Sequence, residues 1–259
     1  MQFLTATLAL TLVSLALITP TVAEFKCNYP GEKLQRKEWR QLSRDERIAY
    51  TDAVAKLYAR GTSGTGQFSY IEDYSRIHDQ NNPWIHGYAS FLPWHRYFVV
   101  IYEQALQKVS NSKITVPYWK WTIDSQAPEE APIWGLDLDS LGARGQPGTD
   151  CVKGGRFEHL QVFGSCIKRR FNKGNRLGAF HGPESINRLI AKSKDYDEFR
   201  RELEGNAHAV VHTSIGGHMS TMNSPNDPIF WLHHSMIDKL WYDWQVAHNG
   251  FNEYSGKIK

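Results

Sequence analysis

The sequence predicts a mainly α fold, a four-helix bundle holding a pair of metal ions, with long irregular connections and a few short strands. Three observations predict it. Residues 36–58, 90–109 and 228–247 carry apolar side chains at three- and four-residue spacings, the period of a helix with one buried face. Residues 203–213 contain no proline and place His208 and His212 four apart, so both imidazoles share one helix face. The segments between, 61–84 and 114–192, are rich in residues that favour turns.

Residues Met1 to Ala23 read as a signal peptide, with an apolar core from Leu8 to Ile18 and the small residues Thr21-Val22-Ala23 before the expected cleavage. That core is shorter than the ~20 residues a membrane span needs. Residues 24–259 are therefore expected to form one secreted domain. The first helix is expected over Arg36 to Tyr58, with Trp39, Leu42, Ile48, Val54 and Leu57 inward and Ser43 to Glu46 able to cap a second segment. The next stretch is polar and ends at Pro83, which places His78 at a helix end or in a loop and His86 on an irregular turn. From Ser90 a helix resumes to about Val109, tolerates Pro93 in its first turn and projects His95.

Residues 114–192 contain Pro117, Pro128, Pro132, Pro147 and Pro183 and read as a long connection wrapped over the bundle. Cys151 and Cys166 flank a glycine-rich basic loop and form the natural disulfide, leaving Cys27 unmatched. The last helix, Pro228 to about Ala247, brings Trp231, His233, His234, Trp241 and Trp244. A net charge of +3 gives no reason to invoke nucleic acid or an anionic membrane as partner. No Asn-x-Ser/Thr acceptor occurs, and nothing in the sequence signals an oligomeric state.

Six histidines form the candidate chemistry: His78, His86 and His95 in one trio, His208, His212 and a member of the His233-His234 doublet in the other. Neighbours on a helix diverge by ~100°, so only one of the doublet should bind. An all-imidazole site suits copper, iron or zinc. The HxxxH spacing also occurs in zinc peptidases, but there a glutamate follows the first histidine as general base, and here that residue is Ala209. A single zinc needs one trio and leaves the other unexplained. Two facing trios suit two copper ions and dioxygen.

At Phe91-Leu92-Pro93-Trp94-His95-Arg96, and again from Asn226 through Asp227-Pro228-Ile229-Phe230-Trp231-Leu232-His233-His234 to Asp238 and Trp241, the chain resembles the tyrosinase and catechol oxidase family. Tyr118-Trp119-Lys120-Trp121 and Gly155-Arg156-Phe157 also resemble family landmarks. The resemblance implies a dicopper centre, two copper ions of the type 3 kind, held by His78, His86, His95, His208, His212 and His234. It leaves His233 to packing, makes Asp227 and Asp238 structural acceptors, and puts Phe230 as a wall beneath the copper pocket. Trp84 stands where many members carry the cysteine that forms a thioether to the second histidine, so no such bond is expected.

The implied partners are O2 and small phenols, and the implied reaction converts catechols to o-quinones. Members that hydroxylate monophenols often carry asparagine after the first histidine of the second trio, where with a glutamate it orders a water. This chain has Ala209 there, with Glu204 as the matching glutamate and candidate catalytic residue. Thr213 and Met222 complete the expected substrate pocket with Ala209 and Phe230. Catechol oxidation, with weaker monophenol hydroxylation, is the expected activity. The alternatives are a full tyrosinase (a monophenol monooxygenase), a haemocyanin-like oxygen carrier and a secreted structural protein. The carrier usually covers its coppers with a further domain, whereas this sequence stops at Lys259, soon after its last helix.

Overall fold

The computed structural model describes residues 34–59, 61, 66–249 and 254–258; the expected signal peptide and Cys27 lie outside them. The described chain is mainly helical, as expected. Its helices are α1 (Arg44–Leu57), α2 (Tyr70–Ile85), α3 (Phe91–Ser110), α4 (Pro183–Lys192), α5 (Tyr196–Glu202), α6 (Ala209–Ile215) and α7 (Ile229–Ala247). One small antiparallel hairpin joins β1 (Gln161–Val162) to β2 (Ser165–Cys166). Helix α3 is central and packs against α1, α2 and α7. None of the described helices is long and apolar enough to cross a membrane.

The local chemistry corrects the sequence reading in four places. The helix expected from Arg36 is only a 3-10 turn at Trp39–Gln41 before α1, while Ser43 and Glu46 cap that second segment as expected, the Ser43 hydroxyl accepting from Glu46 N–H and the Glu46 carboxylate from Ser43 N–H. The same reciprocal cap, Ser69 with Glu72, starts α2 and carries it through the polar stretch, so His78 sits in mid-helix rather than at an end. Two satisfied N-terminal donors outweigh an unfavourable composition there. Pro83 lies within α2, which ends two residues beyond it.

The third correction is α4, which lies inside the stretch expected to be irregular. Pro183 opens this helix instead of breaking it, since the N–H it lacks has no partner in a first turn. Ile186 then packs into the core with Leu189 and Ile190 against it. The fourth is at Leu203–His208, where the turn between α5 and α6 is π-helical, not α-helical. Such a wider turn is rare and frequently lies at a functional site.

The long connection is stapled by Cys151–Cys166, as expected. Below the staple, the Arg169 guanidinium is fully buried, donating to both Asp227 carboxylate oxygens at 2.7 Å and to the carbonyls of Gly142 and Ala143. Asp227 Oδ1 also accepts from Ile229 N–H and so caps α7. The connection is thereby fixed to the start of the helix that carries His234. Next to Arg169, Gly216 and Gly217 lie so close to the main chain that an added Cβ would meet Arg170 O at 2.3 Å and Lys168 O at 2.1 Å. Only glycine fits there, with φ of +63° and +58°.

At the other end of the bundle, Asp238 of α7 accepts from Arg36 and Arg96, and the Arg96 guanidinium lies 3.7 Å from the Trp241 ring centre. Asp227 and Asp238 are thus the structural acceptors expected of them.

Candidate metal centre

Each trio is assembled from separate elements. His78 lies in α2, His86 immediately follows α2 in extended conformation, and His95 lies one turn into α3. His208 ends the π-turn, His212 lies in α6, and His233 and His234 lie in the second turn of α7. The nitrogens of His78, His86 and His95 come within 4.8 Å of one another, and so do those of His208, His212, His233 and His234. The two groups meet where the His95 and His234 rings stack at 4.4 Å. Phe230, fully buried, lies against His234 at 4.3 Å and His78 at 5.3 Å, a floor under both groups.

Hydrogen bonding shows where the protons reside. His78 Nδ1 faces Met222 O at 2.7 Å, His86 Nδ1 faces Asn82 Oδ1 at 3.0 Å, and His95 Nδ1 faces Phe91 O at 2.8 Å. In the second group His208 Nδ1 faces Glu204 O at 3.1 Å and His212 Nδ1 faces Met219 O at 2.6 Å. A carbonyl oxygen only accepts, so each Nδ1 carries the proton and each Nε2 is left with its lone pair. Burial holds all of these rings below the usual histidine range, His78 and His212 to about 4 and His86 to about 3. They are neutral donors at pH 7.

The fit to metal follows. His78 Nε2 and His95 Nε2 stand 3.4 Å apart, as do His212 Nε2 and His234 Nε2. Two lone pairs at that distance, as in the first trio, repel unless a cation lies between them. Two nitrogens ~2.0–2.1 Å from one ion at a tetrahedral angle are ~3.3–3.4 Å apart. His208 Nε2 is buried without a hydrogen-bond partner, which a metal would supply.

The doublet divides by surroundings. His234 points toward the first trio, against His95, whereas His233 stacks on His208 at 5.2 Å and lies 6.2 Å from Trp121. Both ring nitrogens of His233, and Nδ1 of His234, are buried without partners.

The expected pocket residues are placed as follows. Ala209 follows His208 and is half-buried, while Thr213 is exposed with its hydroxyl donating to Ala209 O at 2.9 Å. Met222 is half-buried and its main-chain carbonyl contacts His78, a ligand candidate of the first trio. Glu204 engages one carboxylate oxygen with Gly87 N–H at 2.6 Å and the other with Arg200 at 3.0 Å. Burial lifts its carboxyl above the ordinary value, opposed by those two donors.

The sequence reading missed the carbonyl partners of the five rings. Three of them, Asn82, Phe91 and Glu204, lie four residues before their histidine, a spacing that could have flagged them. Met219 and Met222 carry no such signal, because an irregular segment brings their carbonyls in.

A helical bundle with two facing groups of neutral imidazoles is the class of protein that holds a pair of transition-metal ions. The common central domain of tyrosinase matches residues 66–247. The chain is 34% identical over 271 residues to tyrosinase ustQ of Aspergillus flavus, covering 97% of this chain and 75% of that protein. It is 32% identical over 233 residues to the tyrosinase of Streptomyces glaucescens, covering 83% and 84%. Among solved structures it resembles a polyphenol oxidase variant from Thermothelomyces thermophila, with a TM-score of 0.68 and 28% identity over 83% of this chain and 70% of that one. The chain belongs to the tyrosinase family and is a copper oxidoreductase whose cofactor is a pair of copper ions.

Proposed function

We propose that His78, His86 and His95 hold one copper, that His208, His212 and His234 hold the other, and that the protein oxidises catechols to o-quinones with O2. The observation that carries the ligand set is the pairing of Nε2 lone pairs at 3.4 Å. When bound, the copper pair supplies a two-electron site for O2, to which each catechol gives up two electrons and two protons. The protein's own part is to hold six neutral imidazoles in place. Carbonyl acceptors fix five of the rings, and partners of this kind are typically worth ~10–100-fold in metal affinity. The aromatic walls of Phe91, Trp94, Phe98 and Phe230 keep the rings dry.

The preference for catechols over monophenols rests on Ala209 and Thr213. Ala209 has no polar atom to hold a water, and the Thr213 hydroxyl proton is turned back onto its own helix. Relatives named tyrosinase keep a full monophenol activity as the second reading. Oxygen uptake by copper-loaded protein with a monophenol and the matching catechol separates the two. Rapid uptake with the catechol, and slow or lagging uptake with the monophenol, is the expected result. Ala209→Asn should raise the monophenol rate relative to the catechol rate where the Glu204 carboxylate shares the ordered water; equal wild-type rates without a lag would contradict the assignment.

Secretion through residues 1–23, with 24–259 as the mature domain, is part of the same proposal. The Cys151–Cys166 disulfide supports it, since such bonds persist mainly in oxidising compartments.

A further inference from the structure

His86 is the one proposed ligand whose backbone is extended rather than helical, and it is half-buried. Asn82 of α2 orients its ring, but its backbone lies beyond the last helical turn. Trp84, two residues earlier, offers no thiol for a covalent tie, and the next residue is Gly87 with φ of +73°. The turn 86–90, which Ser90 also ties to Trp84 O, therefore sets where that backbone sits relative to His78 and His95.

That turn is held from the opposite side of the site. Glu204 Oε1 accepts from Gly87 N–H at 2.6 Å, while the main-chain carbonyl of the same residue orients His208 at 3.1 Å. The carboxylate is aimed by Arg200, which is itself buried and pairs with Asp197. Tyr196 of α5 donates its hydroxyl to Ala89 O, and Ala89 N–H donates to Lys257 O at 2.9 Å. The π-turn at Leu203–His208 places Glu204 so that its side chain reaches one trio and its carbonyl the other.

We propose that Glu204 is a positioning residue for both copper ions, and that its carboxylate governs occupancy of the site on the far side, the one built on His78, His86 and His95. The proposal rests on the ligand assignment above. It gives the carboxylate a fixed partner in the Gly87 amide, in addition to any water it shares. A substitution in the π-turn should then empty the trio that does not belong to it.

The test is copper per chain in full-length protein, measured by elemental analysis, with circular dichroism to check helix content. Wild type should hold two coppers; fewer would overturn the ligand assignment itself, independently of Glu204. Glu204→Ala should hold one. The carboxylate of Glu204→Asp keeps the charge beside Arg200 but falls short of the Gly87 amide, so this milder variant should also hold one. Glu204→Gln keeps an acceptor for that amide and should hold two. In double variants, Glu204→Asp with His95→Ala should still hold one copper, and Glu204→Asp with His212→Ala none. Two coppers in Glu204→Asp, one in Glu204→Gln, or loss of the remaining copper on adding His95→Ala would each overturn the proposal.

Discussion

His234→Ala is expected to reduce the copper content from two to one and to abolish oxygen uptake with catechol, whereas His233→Ala retains both coppers and turns over. The argument is geometric. His234 Nε2 stands 3.4 Å from His212 Nε2, and its ring stacks on His95 of the other trio at 4.4 Å, so it faces the space between the trios. His233 lies behind His208, beside Trp121, in a fully buried position. Truncating it leaves a cavity and should cost about 1–3 kcal/mol of stability, the ordinary range for a buried side chain. Copper analysis and denaturant unfolding on both variants decide the matter. Loss of copper in His233→Ala with retention in His234→Ala would reverse the assignment.

Arg169→Met is expected to destabilise the protein by about 3–5 kcal/mol, the cost of leaving one charge of a buried pair without its partner. Asp227 would then lie buried with its carboxylate facing an apolar side chain, at the start of α7. The effect should extend to the metal centre. Arg170 N–H donates to Ile215 O at 3.0 Å and His218 N–H to Lys168 O at 2.9 Å, which docks residues 215–218 onto the connection. The same segment continues to Met219 and Met222, whose carbonyls orient His212 and His78. Denaturant midpoints should fall without copper, and copper retention should fall with them. Unchanged stability would show that the pair is replaceable by packing.

The sequence reading grouped the histidines more completely than it drew the helices around them. Both histidine groups were legible because their spacing carries meaning, as at His208 and His212. The limits of α3 and α7 were legible because long apolar periodicity governs them, and the Cys151–Cys166 pairing because the other cysteine lies far off in sequence. The extent of α2 was obscured by its polar composition, since its Ser69–Glu72 cap amounts to two hydrogen bonds that composition does not show. At α4 a proline reads equally as helix start or helix breaker. The π-turn depends on tertiary packing around His208, and the carbonyls of Met219 and Met222 on main-chain geometry that no side-chain pattern encodes.

The most direct test of the dicopper assignment is the metal content of the purified wild-type protein after loading with copper in competition with zinc. Two coppers per chain, lost to one on removal of a single ligand from either trio, is the result predicted from the two facing sets of neutral imidazoles. One zinc per chain and no copper would contradict it.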